Sequence, residues 1–142
     1  MVGTRSSECS NTVSLPGLVL AALETDPDQP DYKITRRHLR ILQDATDADG
    51  RPLDIVTLET PSSVRPAYDD DDFAAGYINF SICNGAVIVP QFGDPEADTN
   101  AVDTLARVFP GREIIQLNID AIAAGGGGIH CVTMHQPRLG AP

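Results

Sequence analysis

Short apolar runs alternate with longer stretches of helical periodicity, and the alternation occurs twice along the chain. Leu18-Val19-Leu20-Ala21-Ala22 follows Pro16-Gly17, and Ala86-Val87-Ile88-Val89 follows Asn84-Gly85. Each run has the length and composition of a buried strand. An Asp-Pro pair comes soon after each, at Asp26-Pro27 and Asp94-Pro95. Beyond the first pair, Ile34, Ile41, Leu42 and Ala45 share one face of a predicted helix; beyond the second, Val102, Leu105, Ala106 and Phe109 do the same. Gly50 and Pro110-Gly111 stop these helices, and Leu53 to Leu58 and Glu113 to Leu117 close the two units as further strands. Two copies of one strand-helix-strand unit are the mark of a repeat architecture.

The segment between the copies, Pro61 to Asp72, carries Pro61, Pro66 and the acidic run Asp69 to Asp72, and it reads as a connection. Tyr77 to Cys83 alternates in side-chain character, and Asn84-Gly85 is a dipeptide favoured in two-residue hairpin turns whose central positions both take positive φ. The second unit is therefore expected to be ββαβ. The first is expected to lack its opening strand, because the residues before Pro16 show no periodicity, and a chain that starts partway through a repeat reads as truncated.

Composition narrows the class. With 142 residues, 42% hydrophobic, the chain is expected to form one small α/β domain with a single core. A net charge of -10 disfavours nucleic acid and tolerates a small cationic partner. No apolar run approaches the ~20 residues of a membrane-spanning helix, and residues 1–12 lack the pattern of a secretory signal. Cys9, Cys83 and Cys131 make an odd, scattered set, which fits neither a disulfide framework nor a zinc ribbon.

The candidate chemistry lies in Gly125-Gly126-Gly127-Gly128-Ile129-His130-Cys131-Val132-Thr133-Met134-His135. Successive glycines are entropically costly to order, so something requires bare backbone there. They could admit a ligand beside a nucleophilic Cys131, form a turn into a strand whose cysteine is inert core, or cradle a phosphate, for which the expected lysine and helix are missing. A metal site on His130, Cys131 and His135 is a weaker reading, because neighbours in an extended segment point to opposite faces. By the same argument His130 is no natural base for Cys131. His38, among Arg36, Arg37 and Arg40, reads as a surface residue, and the aspartate run reads as a solvated loop lacking calcium-loop spacing.

Gly126-Gly127-Gly128-Ile129-His130-Cys131-Val132-Thr133, followed by Gln136-Pro137, resembles the catalytic cysteine motif of the agmatine deiminase family, relatives of bacterial peptidyl-arginine deiminases. Tyr77-Ile78-Asn79-Phe80, Asn84-Gly85 and Val89-Pro90-Gln91-Phe92-Gly93-Asp94-Pro95 resemble the motif before it, and Pro16 to Pro61 the segment upstream. The resemblance implies a pentein, an α/β propeller of five ββαβ units around a channel, of which this chain would supply about two. Residues 1–15 would be an irregular segment unlike the family, 16–60 an incomplete penultimate unit, 61–75 an acidic linker, 76–137 the last unit with the cysteine loop, and 138–142 a tail.

The implied activity is hydrolysis of agmatine to N-carbamoylputrescine and ammonia through a covalent amidino-cysteine, in the cytoplasm, as part of putrescine and polyamine synthesis. Cys131 would be the nucleophile, and the backbone of Gly127 and Gly128 would approach the substrate; neither cofactor nor metal is implied. The family's Gly-His-x-Asp motif, source of its general acid and a substrate aspartate, should lie shortly before Pro16-Gly17, where this chain reads Arg5-Ser6-Ser7-Glu8-Cys9. Alone, the chain is therefore expected to be inactive or nearly so. A peptidyl-arginine substrate stays open, as does a non-catalytic remnant that forms homo-oligomers through open strand edges.

Overall fold

Residues 16–68 and 72–136 are described by the structure, a computed structural model. The first apolar run becomes β1 (Leu18–Leu23), followed by α1 (Asp31–Gln43) and β2 (Asp54–Glu59). The second becomes β4 (Ala86–Gln91), followed by α2 (Pro95–Val108) and β5 (Glu113–Asn118), with β3 (Ser81–Cys83) ahead of it. A short α3 (Asp120–Ala123) and a 3-10 turn at His130–Val132 complete the C-terminal part, and a second 3-10 turn lies at Pro66–Tyr68.

The two units repeat in detail. β1 and β2 pair in parallel from Leu18↔Asp54 to Leu23↔Glu59, and β4 and β5 pair in parallel from Ala86↔Glu113 to Gln91↔Asn118. In each copy a glycine of positive φ precedes the first strand, Gly17 at 87° and Gly85 at 79°. Its carbonyl accepts the N–H that opens the second strand, from Asp54 and from Glu113, each at 2.9 Å. β3 adds antiparallel to β4, giving the order β3-β4-β5 beside the separate pair β1-β2. The second unit is thus ββαβ. Whether the first has an opening strand concerns residues 1–15, which lie outside the described residues, as do Asp69 to Asp71 of the acidic run and residues 137–142.

The core forms where α2 covers the second sheet. Val87 and Val89 of β4, Phe92 and Leu105 are fully buried, and Leu20, Leu58, Tyr77, Phe109, Ile119 and Ile129 join the same cluster. Burying each such side chain contributes about 1.5–3 kcal/mol. Phe92 is held edge-on by Phe73 and Tyr77, with ring centroids 5.9 and 5.3 Å away. Asp94 caps α2, its Oδ1 accepting from Ala97 N at 3.1 Å and its Oδ2 from Ser62 N and Oγ at 2.9 and 2.7 Å.

Three local expectations are corrected, and one feature shared by the two units differs between them. The strand expected from Tyr77 covers only Ser81–Cys83, because Tyr77 turns its ring into the core and hydroxyl to Asp98. In the hairpin turn only Gly85 takes positive φ; Asn84 does not, so glycine alone absorbs the turn's left-handed step. Ile34 and Ile41 of α1 are 48% and 56% exposed, so the apolar face predicted for this helix stays largely open. The Asp-Pro pairs are not equivalent either: Asp94 caps its helix, whereas Asp26 sits in a turn before Pro30, the residue that precedes α1.

Candidate active site

The glycine run does not lead into a strand. After β5, Ile119 is buried, α3 makes one turn, and the chain reverses at Gly126, whose φ of 77° requires a residue without Cβ strain. Ile129 then plugs into the core, and His130–Val132 form a 3-10 turn. The extended segment on which the metal and base arguments rested is absent. Cys131 is exposed, not packed in the core.

One side chain organises this turn. Asn79 Oδ1 accepts the His130 N–H at 2.9 Å, and Asn79 Nδ2 donates to Cys131 Sγ at 3.3 Å. Gly128 is buried under the same side chain: a Cβ there would lie 2.4 Å from Asn79 Cγ. The bare backbone at Gly128 is thus accounted for by Asn79. A Cβ at Gly127 would meet Cys131 Cβ at 3.5 Å and Sγ at 3.7 Å, so this glycine leaves open the space next to the sulfur. Further bonds join the same two segments, from Ala74 N to Ala123 O at 3.0 Å and from Thr133 Oγ1 to Ser81 Oγ at 3.3 Å.

Asn79 is in turn held from the core. Two residues before it, the buried Tyr77 donates its hydroxyl to Asp98 Oδ1 at 2.8 Å. The same carboxylate, on α2, accepts Phe92 N–H and Gly93 N–H at 3.0 Å each, satisfying a group only 5% exposed. Burial and the Asp98 bond push the Tyr77 hydroxyl far above its usual range. Beneath α3, Arg65 Nη1 bonds both oxygens of the buried Asp120, at 2.8 and 2.9 Å, and Gln91 O at 3.1 Å.

The Cys131 thiol titrates below its ordinary value, chiefly through the Asn79 hydrogen bond and then through backbone hydrogen bonds at Gly128 and Cys131. An exposed sulfur biased toward thiolate on an ordered turn can act as a nucleophile. His38 is exposed on α1, as expected. Among the described residues no three of His, Cys, Asp and Glu stand close enough to share a metal ion. No described helix is long and apolar enough to cross a membrane. An open polar cleft between β2 and α2, lined by Val56, Leu58, Asp94, Asn100 and Thr104, includes neither Cys131 nor Asn79.

Asn79 carried no role in the sequence reading. Its signal was present in the Tyr-Ile-Asn-Phe motif, but nothing local links position 79 to position 131.

A βαβ unit followed by a ββαβ unit, with a cysteine on a glycine-rich turn, defines a partial pentein, and known proteins agree. The described fold superposes on the structure of an agmatine deiminase of Enterococcus faecalis with a TM-score of 0.77 at 32% identity, over 87% of this chain and 38% of that one. Putative agmatine deiminases of Streptomyces coelicolor and Selenomonas ruminantium are 40% and 38% identical to it, each over 87% of this chain. The profile of the Porphyromonas-type peptidyl-arginine deiminases matches residues 11–137, and the chain belongs to that family. It spans 36% to 38% of the length of these relatives.

Proposed function

We propose that this chain carries the nucleophile of an agmatine deiminase, with Cys131 forming the covalent intermediate. The observation that supports this most directly is the exposed Cys131 sulfur, held by Asn79 on the glycine turn of a chain in this family. The Cys131 thiolate attacks the central carbon of the guanidinium, forming a C–S bond and a tetrahedral adduct. That adduct collapses by breaking a C–N bond; the nitrogen takes a proton and leaves as ammonia. Water adds to the amidino carbon of the remaining thiouronium, the C–S bond breaks, and two protons in all pass to solvent, which returns the thiolate and releases N-carbamoylputrescine.

The substrate is a small cation, and its charge beside the sulfur further favours thiolate. Gly127 serves by leaving the backbone bare next to Sγ, and Gly128 by letting the turn close. No cofactor or metal takes part. The reaction belongs to cytoplasmic putrescine and polyamine synthesis. The general acid and the substrate carboxylates are assigned to no residue of this chain, so the chain alone turns over agmatine slowly or not at all; removing a positioned acid or base typically costs ~10²- to 10⁴-fold.

A chimera tests the reading: the portion of the Enterococcus faecalis enzyme that precedes its match to this chain is joined ahead of residue 16. Ammonia release from agmatine, lost in the Cys131→Ala chimera, is the expected result, together with a single adduct on Cys131 after treatment with 2-chloroacetamidine. A folded chimera that releases no ammonia, or an adduct on Cys83 in place of Cys131, overturns it. Peptidyl-arginine is the alternative substrate, distinguished in the same assay by citrulline formation. A non-catalytic, self-associating role is favoured only if the chimera is inert and the chain sediments as an oligomer.

A further inference from the structure

We infer that Asn79 is the positioning residue for the Cys131 sulfur, its one amide clamping the cysteine turn through Oδ1 and directing Sγ through Nδ2. The inference rests on Cys131 being the nucleophile proposed above and adds a second residue to that site.

The orientation of the amide follows from chemistry. The His130 backbone N–H can only donate, so the Asn79 atom facing it at 2.9 Å must be the carbonyl oxygen. The other arm, 3.3 Å from Cys131 Sγ, is then the NH₂ group, a donor aimed at sulfur. A donor so placed bonds more strongly to an anionic sulfur than to a neutral thiol. The arm is not free to swing away. Its carbonyl is tied to the turn, the Gly128 backbone lies against its Cβ and Cγ, and Asn79 O bonds His130 N–H as well, at 3.3 Å. On the far side Asn79 is anchored through Tyr77 to Asp98 of α2. The sulfur is thereby pointed outward beside Gly127 and not left to rotate over the exposed turn.

The two functions of the amide are separable. Aspartate at position 79 keeps the size and the oxygen that accepts His130 N–H, but it replaces the donor facing sulfur by a negative charge. In the full chain bearing Cys9→Ser and Cys83→Ser, the rate of alkylation by iodoacetamide then reports Cys131 alone. Asn79→Asp is expected to move the midpoint of the rate against pH upward by about one unit, and to slow the reaction near pH 7 by about tenfold. If its pH profile superimposes on that of the Asn79 chain, Asn79 only holds the turn and the inference is wrong.

Should circular dichroism show Asn79→Asp unfolded, the unaltered chain provides a second readout. The side-chain amide resonance of Asn79 should shift with pH at the same midpoint as alkylation, and Cys131→Ser should abolish that shift. An amide resonance indifferent to thiol ionisation overturns the inference. These outcomes are independent of turnover: an inert chimera with the expected alkylation profile defeats only the proposed reaction, and superimposed profiles defeat only the role of Asn79.

Discussion

A methyl group on Gly128 would fall 2.4 Å from Cγ of Asn79, closer than packed carbons approach. The two residues therefore share one space, and neither can change independently. Gly128→Ala should cost about 1–3 kcal/mol through overpacking and slow Cys131 alkylation, because Asn79 must move. Gly127→Ala meets only ordinary contacts at 3.5 and 3.7 Å and should leave thermal stability within about 0.5 kcal/mol. Thermal melting and iodoacetamide kinetics on both variants check this pair of outcomes.

Tyr77→Phe removes one of the three donors to the buried Asp98 carboxylate and leaves those from Phe92 and Gly93. The expected loss is about 1–2 kcal/mol, read from the urea midpoint. The pH dependence has a definite sign. The hydroxyl is raised above its ordinary 10.0 in the fold, so above that value only the unfolded chain releases the proton. The stabilisation is complete below about pH 10 and is lost as pH rises further. Tyr77→Phe should lessen this alkaline loss; an unchanged alkaline slope contradicts the assignment.

Asp94 behaves oppositely. Its carboxyl is lowered from 3.8, first by the Ser62 hydroxyl and then by Ala97 N–H. Its contribution is present above that ordinary value and declines as pH falls through it toward the lowered one. Asp94→Ala should cost about 1–2 kcal/mol near neutrality and flatten the acid limb of melting temperature against pH. An acid limb identical to that of the unaltered chain would count against the cap.

Arg65→Leu strips Asp120 of an ion pair while the carboxylate stays 4% exposed. Because the arginine side chain is itself 30% exposed, water offsets part of the loss, and about 2–3 kcal/mol is expected, below the range for fully buried pairs. The double variant Arg65→Leu with Asp120→Leu should recover part of it. Chemical denaturation of the two variants decides between an ion-pair role and simple packing.

Much of the architecture was legible along the chain because it is local. A short apolar run, a glycine before it and an amphipathic stretch after it are sufficient to place β1, α1, β2 and β4, α2, β5 in order. The exceptions are equally physical. Tyr77 and Ile78 have strand-like composition, yet the Tyr77 hydroxyl finds a carboxylate 21 residues away and leaves the strand. The α1 face looked like core, but no described segment covers Ile34 and Ile41. The glycine run looked like the approach to a strand, but α3 and the plug of Ile129 bend it into a 3-10 turn.

By itself, then, the order of residues determined the repeated units, the glycines that begin their first strands, the family, and the cysteine worth watching. These depend on periodicity and on motifs a few residues long. Only the tertiary structure decided that the Cys131 sulfur is exposed, that Gly128 is bare to accommodate Asn79, and that an amide 52 residues distant faces the thiol. Such contacts arise when separate segments are packed against one core, and no local pattern records which side chain will meet which.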